Sequence, residues 1–203
     1  MEALILVDLQ HDFMPGGALG VPGGDEVLDV ALEMSRRLQW VFATQDWHPA
    51  GHKSFASSHP GKQVGDSIKL NGLDQNLWPD HCVQGTRGAE LVEPIAALPL
   101  AGIVRKGQDP EVDSYSGFFD NGRRHETELR AVLEERRLRK VIVMGLATDF
   151  CVKATALDAI ACGFEVSLLV PGCRAVNLRP DDGAQAIQQM EAAGITLLHE
   201  LPN

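Results

Sequence analysis

The sequence predicts an α/β fold: a doubly wound, mainly parallel sheet of about six strands with helices on both faces, in three layers. Short apolar segments alternate with segments of helical periodicity along the whole 203-residue chain. Several of the apolar segments, such as residues 3–7 and 141–144, are apolar at every position, as expected of strands that are buried on both faces. We therefore expect one domain that spans residues 1–203.

The elements alternate in a regular order. Strands are predicted at residues 3–7, 40–44, 103–105, 141–144, 165–170 and 195–199. Helices are predicted at residues 25–38, 89–97, 125–137, from 151 onward, and at 181–193. Residues 47–86 are rich in His, Gly, Ser and Pro and have no sustained periodicity. So long a segment within a compact domain suggests a functional loop.

Composition excludes several classes of partner. The net charge of −10 and the pI of about 5.1 argue against binding to nucleic acid or to an anionic membrane surface. No apolar run reaches membrane-spanning length, and the chain enters its first strand without a leader segment. The four cysteines include no CxxC pair, so neither a disulfide framework nor a zinc finger is expected. Reduced thiols in a cytoplasm fit this pattern.

Polar residues stand at the ends of four different predicted strands. They are Asp8, Asp46, Lys106 and Cys151. In doubly wound folds the carboxyl ends of the strands share one edge of the sheet, and ligands bind there near a topological switch point. The sequence therefore predicts a functional site at this edge.

Three of these residues could perform nucleophilic catalysis. Asp8 could accept the proton of the Cys151 thiol, and Lys106 could stabilise both anions. Cys151 lies in the predicted first turn of a helix, where free N–H groups favour a thiolate. Spacing alone equally allows a structural ion pair between Asp8 and Lys106 beside a packed cysteine.

The long loop carries a candidate metal site. Asp46 and His48 stand two residues apart in an extended segment, so their side chains can point the same way, and His81 follows later in the loop. A carboxylate with two imidazoles suits Zn²⁺, Fe²⁺ or Mn²⁺. Taken singly, each histidine is more often a hydrogen-bonded loop residue than a ligand.

Aromatic residues lie in the three loops that should meet at the same edge. They are Phe13, Trp78 and Tyr115. Flat rings beside a metal and a nucleophile would suit a small planar substrate, whereas each ring alone would be ordinary loop packing.

Together these residues belong to motifs that resemble a known family. The motifs, in chain order, are VDLQHDF, GGALGVPGG, TQDWHPAGHKSF, LWPDHCVQGT, RKGQDPEVDSYSGFFDNG and VMGLATDFCVKATALDA. They resemble the nicotinamidase/pyrazinamidase group of isochorismatase-like cysteine hydrolases over nearly the whole chain. The pairing of DWH with WPDHC is typical of nicotinamidases, because other members of the superfamily often lack the metal cluster.

The resemblance implies catalytic roles for the residues at the sheet edge. Cys151 would be the nucleophile, Asp8 its base and proton shuttle, and Lys106 the third catalytic member. The backbone N–H groups of Ala147 and Cys151 would form the oxyanion hole, next to a cis peptide between Leu146 and Ala147.

It also implies binding roles for the loop residues. Asp46, His48 and His81 would hold one divalent metal ion, Zn²⁺ foremost and Fe²⁺ or Mn²⁺ as alternatives. Ser54 or His52 could add to this metal shell. Phe13 and Trp78 would sandwich the substrate ring, with Tyr115 nearby; these residues stand in the loops described above.

The implied activity is hydrolysis of nicotinamide to nicotinic acid and ammonia through a cysteine thioester, as part of NAD salvage. Pyrazinamide would be a further substrate, the enzyme would be cytoplasmic, and a homo-oligomer is compatible with the family. Three alternatives stay open at this stage: hydrolysis by metal-bound hydroxide with a structural Cys151, hydrolysis of another amide or a vinyl ether, and a non-enzymatic binding module for nucleotides or metal. The last is weakened because the chain contains no GxG sequence.

Overall fold

A computed structural model describes residues 1–202 and contains one six-stranded sheet with a separate two-stranded hairpin. The strands are β1 Glu2–Val7, β2 Trp40–Asp46, β3 Ser67–Leu70, β4 Leu73–Asn76, β5 Gly102–Lys106, β6 Lys140–Leu146, β7 Glu165–Arg174 and β8 Thr196–Leu198. The α-helices are α1 Val27–Ser35, α2 Glu93–Ala96, α3 Leu129–Glu135, α4 Lys153–Ala161 and α5 Asp182–Ala192.

The large sheet confirms the predicted fold class. Its strand order is β5-β2-β1-β6-β7-β8, and every neighbouring pair is parallel. All side chains from Ala3 to Val7 in β1 are fully buried, although alternate residues face opposite sides of a strand. Both faces of the sheet are therefore covered, as in a three-layer doubly wound fold.

The strand order fixes where a ligand should bind. Chain connections run to one side of the sheet from β1 and to the other side from β6, so the topological switch point lies between these two central strands. Asp8 follows β1 directly, and Cys151 lies just beyond β6. The two candidate catalytic residues thus stand on either side of the crevice at the switch point.

Two neighbouring strands on one side of the sheet, β2 and β5, are longer than predicted. Asp46 and Lys106 are the last residues of β2 and β5, whereas the prediction placed them just after the strands. They are also partners in the register of the parallel pair. Ladder pairing therefore holds the two side chains next to each other.

The long loop of residues 47–86 contains the hairpin of β3 and β4, which the periodicity analysis did not predict. Asn71 and Gly72 connect its strands, with φ values of 51° and 88°. Two successive positive φ values are typical of a type I′ turn, for which Asn-Gly is the preferred sequence.

Several helices are shorter than predicted. The predicted helix 125–137 begins only at Leu129, because Phe119 forms an antiparallel bridge with Glu126 and ties the preceding residues into a turn. The predicted helix 25–38 is an α-helix only from Val27 to Ser35. The longest helix in residues 1–202 has 11 residues, and none there is long and apolar enough to cross a membrane.

The expected first helical turn at Cys151 is a π-helical turn, Thr148–Val152, and α4 begins only after it. The N–H of Val152 donates to the carbonyl of Ala147 five residues earlier, at 3.1 Å. The buried face of α4 consists of Thr155, Ala156 and Ala159, which are inaccessible to solvent. Isolated π turns occur frequently at functional sites.

Candidate active site and metal centre

Lys106 is the centre of a buried charge network. Its Nζ lies 2.9 Å from Asp8 Oδ2, 2.6 Å from Asp46 Oδ1 and 3.4 Å from Cys151 Sγ. Burial by itself lowers the pKa of Lys106, but the carboxylates of Asp46 and Asp8 outweigh it and raise the pKa well above its usual value. Lys106 is therefore a permanent cation that contacts both carboxylates and the thiol.

Asp8 is held in one orientation by Thr44. The φ of Asp8 is 52°, a left-handed conformation that turns the chain sharply after β1. Thr44 Oγ1 accepts the N–H of Asp8 at 3.2 Å and donates its hydroxyl to Asp8 Oδ1 at 2.5 Å. Because Oδ1 is occupied in this way, Oδ2 is the oxygen that faces Lys106.

Burial sets the protonation states of Asp8 and Cys151. It raises the pKa of Asp8 against the opposing effect of Lys106, and it raises the pKa of the Cys151 thiol well above its usual value. Burial of Cys151 therefore opposes the thiolate that its position in a first helical turn was expected to favour. A carboxylate with a raised pKa, within 4.8 Å of the sulfur, is well suited to accept the thiol proton.

Ala147 links β6 to the π turn. The peptide bond between Leu146 and Ala147 is cis. The Ala147 carbonyl accepts the N–H groups of Phe150 and Val152, both at 3.1 Å, whereas its own N–H donates no hydrogen bond within residues 1–202. This N–H lines the same cavity as Cys151 and is available to a bound ligand.

Three ligand atoms converge beside this network. Asp46 Oδ2 lies 3.7 Å from His48 Nε2 and 3.9 Å from His81 Nε2. All three side chains are buried. Asp46 Oδ1 is already bonded to Lys106, so Oδ2 is the oxygen left for a metal ion.

Backbone carbonyls fix both imidazole rings in the tautomer that a metal site requires. His48 Nδ1 donates to the carbonyl of Gly107, and His81 Nδ1 donates to that of Pro79, each at 2.8 Å. Both Nε2 atoms thereby keep a free electron pair, which each could donate to a cation that also binds Asp46 Oδ2. Position 107 must be glycine, since a Cβ there would lie 2.4 Å from His48 Cε1.

Asp46, His48 and His81 shift one another's pKa values. Burial raises the pKa of Asp46, but Lys106 and His48 outweigh it and hold that pKa far below its usual range. Burial lowers the pKa of His48, but Asp46 outweighs it and raises the pKa above 6.5. Burial and the nearby charge of His48 lower the pKa of His81 to about 4. One carboxylate and two imidazoles in this arrangement fit a divalent metal ion.

The structure separates the two candidates for a fourth ligand. His52 Nε2 donates to the carbonyl of Asp109 at 2.8 Å, so His52 Nδ1 accepts the hydroxyl of Ser54 at 2.7 Å. With both nitrogens occupied, His52 is not available as a ligand. Ser54 keeps its oxygen lone pairs.

Aromatic side chains form the walls of the cavity above Cys151. Phe13, Trp78 and Tyr115 line it as expected, together with four residues that the sequence analysis did not indicate: Leu19, Asp113, Phe150 and Val176. The ring of Phe150 lies edge-on to Trp78, with centroids 4.9 Å apart. Its position next to Cys151 in the chain was a usable signal, whereas nothing marked Val176.

The structure brings all of the sequence-predicted site residues into one region. Val176 joins them because the carboxylate of Asp149 accepts the N–H groups of Val176 and Asn177 at 3.0 and 2.8 Å. The cavity is thus lined by the Cys151 thiol, by aromatic side chains and by Asp46 and His81 of the candidate metal cluster. Such an arrangement can hold a small flat molecule and attack it at a carbonyl carbon.

Comparison with known proteins gives one consistent family. A family model described as "Isochorismatase domain" matches residues 2–200. The nicotinamidase of Escherichia coli K12 is 50% identical over 203 residues, with 97% of this chain and 93% of that protein covered.

Two solved structures are similar in fold and sequence. A nicotinamidase and pyrazinamidase from Acinetobacter baumanii superposes with a TM-score of 0.94 at 40% identity, covering 97% of this chain and 95% of the other. A pyrazinamidase of Pyrococcus horikoshii in complex with zinc gives a TM-score of 0.79 at 38% identity, covering 98% and 99%.

Proposed function

This chain belongs to the isochorismatase family, and from that premise we propose that it hydrolyses nicotinamide to nicotinic acid and ammonia. One observation carries the proposal: Cys151, which lines an aromatic cavity together with Asp46 and His81 of the candidate metal cluster, lies beside Asp8 and Lys106. The similarity to nicotinamidases supports the choice of substrate. Phe13 and Trp78 both line the cavity, and their aromatic side chains would pack against a flat pyridine ring.

The first half of the reaction acylates Cys151. Asp8 Oδ2 accepts the thiol proton as the sulfur attacks the carboxamide carbon, and Lys106 stabilises the charge that moves between them. The N–H groups of Ala147 and Cys151 hold the oxyanion, a contribution typically of about 3 kcal/mol. Protonated Asp8 then gives its proton to the leaving nitrogen, which departs as ammonia.

The second half releases the acid. Asp8, again a carboxylate, removes a proton from a water molecule that attacks the thioester, and the thiol recovers that proton as nicotinic acid leaves. The Lewis-acid chemistry for the ring nitrogen would come from a divalent cation, Zn²⁺ in our proposal, held by Asp46, His48 and His81. Pyrazinamide carries the same carboxamide on a ring of the same size, so we include it as a substrate.

The compartment proposed for this activity is the cytoplasm. All four cysteines are free thiols, and three of them (Cys82, Cys151 and Cys173) are buried. Free thiols of this kind are typical of proteins that work in a reducing compartment.

The covalent route is tested by mass spectrometry of the protein quenched shortly after mixing with nicotinamide, with ammonia measured in parallel. We expect a mass increase of one nicotinoyl group on the peptide that contains Cys151, and one ammonia released per turnover. The closely shaped control is benzamide, which lacks the ring nitrogen and should be turned over far more slowly.

Two outcomes would contradict the proposal. Full activity after complete alkylation of Cys151 would favour attack by metal-bound hydroxide with a structural cysteine. Tight metal binding without ammonia release from any amide in a substrate panel would favour a binding module.

A further inference from the structure

Gln10 is a fully buried residue whose side chain binds the backbone of a candidate metal ligand. Its Oε1 accepts the N–H of Asp46 at 2.8 Å, and its Nε2 donates to the carbonyl of Asp46, also at 2.8 Å. Nε2 donates a second time, to the carbonyl of Ala89 at 2.8 Å. The amide therefore uses its acceptor and both of its donor hydrogens.

The two hydrogen bonds between Gln10 and the Asp46 backbone replace those that a residue of β1 would make if that strand were longer. The last register partners of β1 and β2 are Leu6 and Ala43, so β1 turns away before it reaches the end of β2. In a parallel sheet the N–H and C=O of one residue point to the same neighbour. The Gln10 amide supplies the acceptor and the donor that a longer β1 would have supplied to Asp46.

The carboxylate of Asp46 contacts Lys106 and faces the two imidazoles, so its position affects both the ion pair and the candidate metal site. Oδ1 contacts Lys106 Nζ at 2.6 Å, and Oδ2 faces the Nε2 atoms of His48 and His81. On the β5 side the ladder runs through the next residue, Trp47, whose N–H donates to the carbonyl of Lys106 at 2.9 Å. A shift of the Asp46 backbone away from Gln10 would disturb the ion pair and the metal-ligand geometry together.

We propose that Gln10 is a positioning residue: by binding both backbone groups of Asp46 it sets the carboxylate for metal binding and for contact with Lys106. The turnover part of this inference rests on the proposed function, whereas the metal-binding part does not. Gln10 lies two residues after Asp8, so one short segment orients both carboxylates of the network.

Gln45 provides a matched control. It is also buried, at 6% exposure, and its Nε2 donates to the same carbonyl of Ala89, at 2.6 Å. Its Oε1 accepts from Arg105 Nε at 3.2 Å, and neither atom bonds to the Asp46 backbone. Gln45→Met therefore removes a similar buried amide and leaves the anchoring of Asp46 intact.

The experiment compares Gln10→Met and Gln45→Met for Zn²⁺ affinity, measured by competition with a chelator, for kcat and KM with nicotinamide, and for melting temperature. We expect Gln10→Met to bind Zn²⁺ about 10- to 100-fold more weakly and to raise KM, as loss of support around a metal ligand typically does. Gln45→Met should stay within about twofold of wild type in Zn²⁺ affinity by the same reasoning. Both should lower the melting temperature by a similar amount.

Equal loss of Zn²⁺ affinity in the two variants, or unchanged affinity in Gln10→Met, would overturn the proposal. If Gln10→Met does not fold, Gln10→Glu carries the test. It keeps the acceptor for the Asp46 N–H but turns an oxygen toward two carbonyls, so the same weakening of Zn²⁺ binding is expected. A selective loss of Zn²⁺ affinity in a protein whose wild type releases no ammonia from nicotinamide would sustain the role of Gln10 and reject the proposed function.

Discussion

Cys151 and Cys173 are two buried cysteines with very different surroundings, one in the π turn that follows β6 and the other in the neighbouring strand β7. Cys173 lies in β7 opposite Gly145 of β6, and Cys151 follows β6 a few residues later. Their exposures are 6% and 7%, and burial raises the pKa of both, that of Cys173 to about 12. By burial alone the two thiols are equivalent.

Their neighbours distinguish them. Cys173 Sγ donates a hydrogen bond to the carbonyl of Leu169 at 3.4 Å. A backbone carbonyl can accept this hydrogen bond, but it is not a base that can remove the thiol proton. Cys151 Sγ lies beside a permanent cation, Lys106, and a carboxylate of raised pKa, Asp8. A buried thiol thus becomes a candidate nucleophile only where a proton acceptor and a compensating charge share its cavity.

Removing each sulfur in turn is the most direct test of this contrast. Cys151→Ala should lower kcat for nicotinamide by about 10⁴-fold or more, because no group replaces the nucleophile. Cys173→Ala should keep nearly full activity and lose about 1 kcal/mol of unfolding free energy, as a small core truncation does. Initial rates of ammonia release and chemical denaturation measure the two effects, and equal activity of the two variants would contradict the distinction.

Lys106→Met should remove the cation that lies beside the thiol of Cys151. It leaves two buried carboxylates, Asp8 and Asp46, without their shared cation, and we expect a loss of about 3–5 kcal/mol in unfolding free energy. The matched control is Lys69→Met, whose ion pair with Asp74 is exposed on both sides and should matter little. Urea titrations of both variants give the comparison, and similar stability of the two would show that the buried network is not held by Lys106.

Much of this site could be predicted from the sequence because parallel strands end at one edge. That rule alone predicts that Asp8, Asp46, Lys106 and Cys151 lie together, and the register of β2 and β5 brings Asp46 and Lys106 side by side. Residue type was the second signal, since a thiol, an ammonium and two carboxylates in one place are informative without knowledge of loop geometry.

What could not be predicted depends on backbone groups and on loop conformation. The carbonyls of Gly107 and Pro79 select the histidine tautomers, and every residue carries a carbonyl, so no sequence signal marks them. The π turn at Cys151 has the same apolar periodicity as an α-helix. Val176 reaches the cavity only because Asp149 binds a distant loop. The Asn-Gly turn of the β3–β4 hairpin, by contrast, was readable in advance.

Lowering the pH sharpens the contrast, because Asp46, which lies within 4.8 Å of Cys151, is also grouped with His48 and His81. Asp46 raises the pKa of His48 above 6.5, so His48 gains a proton as the pH falls through that raised value, and the proton competes with the metal. Zn²⁺ affinity should therefore fall by about tenfold per pH unit on the acidic side of the transition.

Chelator competition across the pH range measures this slope. His59→Gln is the control, since His59 Nε2 is bonded to the carbonyl of Lys53 and the residue lies outside the metal cluster. The control should reproduce the wild-type slope, and a flat profile in the wild-type protein would exclude His48 as a ligand.

The smallest expected effect is a metal-dependent change in thiol reactivity. Asp46 lies within 4.8 Å of both Asp8 and Cys151, so a dication on Asp46 should favour the thiolate of Cys151 by about one pKa unit, or up to tenfold in alkylation rate. The rate for Cys173 should not change, because Cys173 belongs to none of the metal-binding clusters formed by residues 1–202. Iodoacetamide labelling of Zn²⁺-loaded and chelated protein, read out by peptide mass spectrometry, reports both thiols in one sample. Parallel acceleration of both would mean that the metal acts through a general change in conformation, whereas acceleration of Cys151 alone would identify a local electrostatic coupling between the metal site and the nucleophile.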